Sequence, residues 1–117
     1  MCEDRLSSVA KTTLHARSAP EWKGQTKFVD RELEQCHVVF GLPAPSATSA
    51  DRFALLVLSN IYGGGMSSRL FQQVREERGL CYSIFSFAQL MSDTGVFGIY
   101  AGTSEDSLNE MLEVSAR

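Results

Sequence analysis

The sequence is poor in the residues from which catalytic centres are usually built. It has two histidines, His15 and His37, far apart in the chain. A zinc-protease helix needs two histidines on one face with a carboxylate base beside them, and no such grouping occurs. No Ser-His-Asp or Cys-His set is marked either. Cys81 has no histidine close to it in sequence, and Cys36, next to His37, points to the opposite face of a strand. The three cysteines, Cys2, Cys36 and Cys81, are an odd number without a Cys-x-x-Cys spacing. That argues for reduced thiols in a protein of cytoplasmic type, with two small buried cysteines and a loose terminal one. No apolar run approaches the roughly 18 residues that suggest a membrane span. The N-terminus, Met-Cys-Glu-Asp-Arg, lacks the basic-then-apolar pattern of a signal peptide. Positive charge is not in excess: 11 basic against 14 acidic residues give a net charge of −3. Nothing therefore draws the chain toward nucleic acid or an anionic membrane surface.

What is present is an ordinary globular balance. With 117 residues, 44% apolar and 21% charged, the chain can form one core, as a small domain or a piece of a larger one. Residues 1–24 are weakly patterned and read as a linker or the remnant of an element, broken by Ser18-Ala19-Pro20 and Gly24. A partial domain over 25–117 follows. Residues 25–29 alternate weakly and predict an edge strand. Residues 33–41 predict a better one, with Cys36, Val38 and Phe40 on one face and Pro43 and Pro45 as its end. Thr48 or Ser49 is placed to cap a helix, with Asp51 in its first turn. Phe53, Leu56, Val57, Asn60 and Ile61 recur at helical spacing and predict a core helix that stops at Gly63. A second helix, capped by Ser67 or Ser68, carries Leu70, Phe71 and Val74 and ends with Gly79 as its C′ residue. Residues 81–90 and 96–101 predict an antiparallel hairpin, with Cys81, Ser83, Phe85 and Phe87 on one face of its first strand. A last helix opens at Thr103–Asp106 and runs through Leu108, Met111 and Leu112. Paired strands with helices between the pairs predict an α+β fold: an antiparallel sheet with helices on one face.

The most informative run is residues 63–82. Three successive glycines remove every side chain from a loop, so another backbone can approach closely. The loop is no P-loop, because Met66-Ser67-Ser68 follows the glycines where Gly-Lys-Ser/Thr would be needed. It does not follow a strand, as a dinucleotide-binding turn would. Arg75 is permanently cationic, and Tyr82 carries a weakly acidic hydroxyl. From a helix end and the start of the next strand, both could donate to a polarised carbonyl oxygen. Equally, Arg75 could pair with Gln72 or Glu76 while Tyr82 is a half-buried strand aromatic.

At these residues the sequence resembles the pitrilysin/insulinase-type metallopeptidases, which include the mitochondrial processing peptidase. The resemblance is to their second, non-metal-binding domain. Its bacterial-type signature is similar to Gly-Gly-Gly-Met-Ser-Ser-Arg-Leu-Phe-Gln through Tyr82-Ser83. Asp93–Tyr100 resembles its hairpin and Glu34–Gly41 its first long strand. This resemblance covers about residues 31–112. It implies that Arg75 and Tyr82 reach the scissile carbonyl of a peptide substrate and stabilise the tetrahedral intermediate. It also implies that Gly63, Gly64 and Gly65 handle substrate or allow movement between halves. The zinc of such enzymes is held by an inverted His-x-x-Glu-His motif in a related domain, and that motif is absent here. The chain alone is therefore expected neither to hold catalytic zinc nor to cleave peptides, and to need a zinc-binding partner domain in cis or in trans. It reads as a fragment of that second domain, with sheet edges and apolar surface open to self-association. The alternative is a non-catalytic structural subunit of the same superfamily. The retained arginine–tyrosine pair favours the enzyme.

Overall fold

The computed structural model describes residues 18–117. Readings that fall on Cys2, His15 and the first helical turns therefore lie outside the described residues. Residues 18–35 run without helix or strand. The edge strand predicted at 25–29 does not form: Phe28 is 87% exposed and Val29 56%. A short run with so little apolar surface cannot order itself without a ladder partner, and none pairs with it.

Three strands make one antiparallel sheet in the order β1-β3-β2. These are β1 (Cys36–Ala44), β2 (Cys81–Leu90) and β3 (Gly95–Thr103). β1 runs through Pro43, which pairs with Val96, rather than stopping before it. Among the described residues no strand flanks the outer side of β1, and proline is tolerated on such an edge because no neighbour needs its missing donor. β2 and β3 form the predicted hairpin, closed by the Met91 N–H to Thr94 carbonyl bond at 2.9 Å.

Helices α1 (Arg52–Gly63) and α2 (Leu108–Ser115) and a π-helical segment (Phe71–Glu76) pack on one face of the sheet. The core lies where the π-helix and α2 meet β2 and β3. It consists of Leu70, Val74, Leu80, Cys81, Ile84, Ala101 and Met111. Full burial of a side chain such as Leu70 or Met111 contributes on the order of 2 kcal/mol. The core is anchored at one end by Thr103, whose hydroxyl donates to the Leu80 carbonyl at 2.5 Å.

α1 is not the core helix its apolar pattern predicts. Phe53, Leu56, Val57, Leu58 and Ile61 are all 44–66% exposed, and the helix buries only Ser59 and Gly63. Its small residues face β2. The Ser86 hydroxyl donates to the Ser59 carbonyl at 2.7 Å, and a Cβ on Gly63 would overlap the backbone nitrogen of Ser86. The helix starts one turn later than Thr48: Asp51 occupies the N-cap position, and its N–H is taken by the Ser49 hydroxyl at 3.2 Å. Between α1 and α2 an apolar cleft of about 560 Å³ opens over β1, lined by Phe40, Leu42, Leu58, Tyr62, Phe97 and Leu112 among others.

The face alternation expected for β2 is also corrected. Cys81 pairs with Thr103 and Ser83 with Gly102, so Tyr82 is an extra residue, a β-bulge. The bulge shifts the phase of the strand by one residue. Cys81 joins buried Ile84 and Ser86 on the helix side, while Ser83, Phe85 and Phe87 fall on the opposite, open face. Cys36 and Cys81 flank Thr103 from either side in register. They therefore stand two strand spacings apart, about 9–10 Å, too far for a disulfide.

Candidate functional site

The segment carrying Arg75 and Tyr82 is shaped by how the π-helix ends. The Glu77 N–H bonds the Gln72 carbonyl at 2.9 Å, five residues back, which is the wide π turn. Leu80 N–H then reaches the Val74 carbonyl and Gly79 N–H the Arg75 carbonyl, both at 3.0 Å. This closes the helix as a Schellman motif does, widened by one residue. Gly79 takes φ +63°, the left-handed conformation predicted for its C′ position. Val74 and Leu80 bury the contact beneath it.

Arg75 emerges from this end into solvent, its guanidinium carbon 4.6 Å above the Phe71 ring. Neither of the helix neighbours considered from sequence, Gln72 or Glu76, holds it. Gln72 instead donates to the Met66 carbonyl at 2.7 Å. Tyr82, on the bulge, is 62% exposed rather than half-buried. Between the two lies Cys81. Burial raises the pKa of its thiol, and the nearby positive charge of Arg75 opposes this more weakly. The arginine thus lies within electrostatic reach of the corner from which the tyrosine projects.

The three loop glycines have three different surroundings. Gly63 is buried against the Ser86 backbone. A Cβ on Gly64 would come within 2.7 Å of the Asn60 Cα, in the last turn of α1. Gly65 has nothing within 4 Å and faces open space. Beside them a cleft of about 590 Å³ runs along Leu56, Asn60, Ile61 and Ser67.

On the open face of the sheet lies a group that sequence reasoning did not assemble. His37 is exposed, and its Nδ1 lies 2.8 Å from the Tyr100 hydroxyl. Tyr100 stacks on Phe85 with ring centroids 5.0 Å apart. Gln35 and Ser83 stand close by, around Gly102. Alternation along β3 puts Gly98, Tyr100 and Gly102 on one face, although the strand predicted from sequence stopped at residue 101. What the sequence could not supply was the register that sets His37 and Ser83 on either side of Gly102. Among the described residues no three His, Cys, Asp or Glu side chains are grouped to hold a metal ion. These residues do not fit a zinc site. No helix among them is long and apolar enough to cross a membrane.

The family model of the peptidase M16 inactive domain matches residues 4–116. An uncharacterized zinc protease of Streptomyces coelicolor is 44% identical over 91 residues, 78% of this chain and 20% of that protein. The uncharacterized zinc protease YmxG of Bacillus subtilis is 38% identical over 94 residues, 80% of this chain and 23% of its own length. Among solved structures, the crystal structure of a peptidase M16 inactive domain from Pseudomonas fluorescens superposes with a TM-score of 0.64. It shares 29% identity and covers 72% of this chain and 22% of that one. A protease from Helicobacter pylori superposes with a TM-score of 0.63 at 27% identity, over 72% of this chain and 21% of its own. The chain spans about a fifth to a quarter of the length of these relatives.

Proposed function

The chain belongs to the peptidase M16 inactive-domain family, and from that membership we propose that it serves as the non-metal-binding half of a zinc endopeptidase site. Arg75 and Tyr82 donate hydrogen bonds to the scissile carbonyl of a bound peptide. Those bonds strengthen as negative charge develops on the oxygen, which selectively stabilises the tetrahedral intermediate. The zinc, with its activated water, belongs to a separate metal-binding domain, joined in cis or supplied in trans. The described residues of this chain act on the carbonyl and not on the metal. The glycine loop, with Gly65 uncovered, gives substrate room to approach or the halves room to move.

The observation that carries this reading is the pairing of exposure with fixation. Tyr82 projects from a bulge and Arg75 from a helix end, and the backbone between them is held by two nested hydrogen bonds. A scaffold gains little from holding two polar side chains in solvent, whereas a site needs its donors in place before substrate arrives.

In the full-length protein, Arg75→Ala and Tyr82→Phe are each expected to lower kcat on a peptide substrate about 10²- to 10³-fold, with KM little changed. Steady-state kinetics on both variants checks this. Losses confined to KM would mean that the two residues bind only ground-state substrate. Unchanged kinetics would remove the two residues from the site, and a wild type that cleaves no peptide would favour a structural subunit.

A further inference from the structure

Among the described residues one buried side-chain polar atom has no hydrogen-bond partner, the hydroxyl of Ser68. The residue is 4% exposed. It stands at the start of the helical segment that follows the glycine loop, with its N–H bonded to the Gly65 carbonyl at 3.0 Å. An orphaned hydroxyl costs stability, and alanine would fit the same place without that cost. Ser68 also lines the cleft of about 590 Å³ beside the loop, so the orphan borders open space. The hydroxyl itself has almost no free surface. A ligand reaches it only when the wall yields, and the adjoining stretch of wall is the bare Gly64–Gly65, where Gly65 meets nothing within 4 Å.

The other wall of the cleft belongs to α1. Leu56, Val57 and Ile61 line it with exposed aliphatic surface, and Asn60 stands at its loop end, with Oδ1 3.0 Å from where a Gly64 Cβ would be. No charged side chain lines the cleft. An ion there would have no counter-charge, and a wholly polar ligand would leave the aliphatic wall unmatched. The wall and the hydroxyl together suit a group that is apolar on one side and hydrogen-bonding on the other, as an apolar residue of a peptide is. From Ser68 to Arg75 the chain advances seven residues along one helical segment, roughly 10 Å at about 1.5 Å per residue. An extended peptide spans that distance in about three residues. We propose that the cleft between α1 and the glycine loop is a subsite for an apolar residue of the bound peptide, about three residues from the scissile bond, whose main chain bonds the Ser68 hydroxyl. That the ligand is a peptide rests on the reading of Arg75 and Tyr82 above; the cleft adds a preference for sequence.

The test is binding rather than turnover. The full-length protein is stripped of metal by a chelator so that nothing is cut. Fluorescence anisotropy then measures its affinity for a fluorescein-labelled peptide from unfolded casein and for copies in which one apolar residue at a time is replaced by glycine. Ser68→Ala is expected to weaken binding about three- to tenfold while the thermal midpoint holds or rises, because the orphaned hydroxyl is gone. A serine with a purely structural role gives the reverse, a lower midpoint and unchanged affinity. Ile61→Asn, on the exposed wall, is expected to weaken binding by a similar factor. One glycine copy should bind the wild type more weakly than the plain peptide does, yet lose nothing further against Ile61→Asn. Unchanged affinity in either variant overturns the proposal, and so do glycine penalties identical in wild type and Ile61→Asn. An Ile61→Asn protein that melts earlier but binds normally also overturns it, because another part of the full-length protein would then cover that wall. The Arg75 and Tyr82 variants are read by kcat, so either reading can fail without the other.

Discussion

Gly63 decides where α1 can lie. Any side chain there would push into the backbone of β2 at Ser86 and into the Ser59–Ser86 hydrogen bonds. Gly63→Ala is expected to destabilise the fold by about 1–3 kcal/mol, the usual cost of overpacking a tight contact. Gly65→Ala, in open space with no left-handed φ, should change stability by less than about 0.5 kcal/mol. Urea unfolding of both variants gives the comparison, and equal losses would remove the special place of Gly63. Cys81 offers a second check. Burial holds its thiol above the ordinary range, and the Arg75 charge only partly offsets this, so little thiolate forms near neutral pH. In the folded chain Cys81 should react with iodoacetamide far more slowly than the less buried Cys36, and at a similar rate once denatured. Peptide mapping by mass spectrometry reads both. Fast reaction of Cys81 in the folded protein would mean that the corner near Arg75 opens readily.

Elements with a strong local signal were legible in the sequence. The hairpin, the stop at Gly63 and the left-handed Gly79 stand close to where spacing and capping chemistry put them; the last helix forms too, but it starts at Leu108 after Ser107, because Thr103 ends β3 and gives its hydroxyl to Leu80 instead of capping. Arg75 and Tyr82 could be singled out because their residue types suit carbonyl recognition. The misreadings have a common physical origin: each needed knowledge of a neighbour. The apolar stripe of α1 looked like a core face, yet a helix can also seat its small residues on a strand and leave the large ones outside. Nothing in a single sequence says which contact prevails. The bulge at Tyr82 is invisible to a period-two reading because it appears only when β2 is laid against β3. The strand at 25–29 failed for want of a partner. The polar cluster around Gly102 depends on three chain segments meeting, so no local pattern could announce it.

For the molecule as a whole, apolar surface is open in three places: the outer face of α1, the cleft over β1, and the free edge of β1. The side chains of Val39, Leu42, Phe53, Val57 and Ile61 are each more than half exposed. Surfaces of this kind bind other apolar surfaces, and a free edge pairs with another strand. The isolated chain is therefore expected to self-associate as its concentration rises and to enhance the fluorescence of an apolar dye. Sedimentation velocity over a concentration series is the check. A single monomeric species at all concentrations, with no dye binding, would mean that these surfaces are closed in solution.

A π turn is an α-helix holding one residue too many. Removing that residue would restore regular winding and swing everything on one side of it by about 100° relative to the other. In this chain Arg75 lies within the widened segment itself, in its last turn before the corner. The bearing of the guanidinium is therefore written as a count of residues, and a substitution that preserves every contact leaves it alone where a one-residue deletion turns it away.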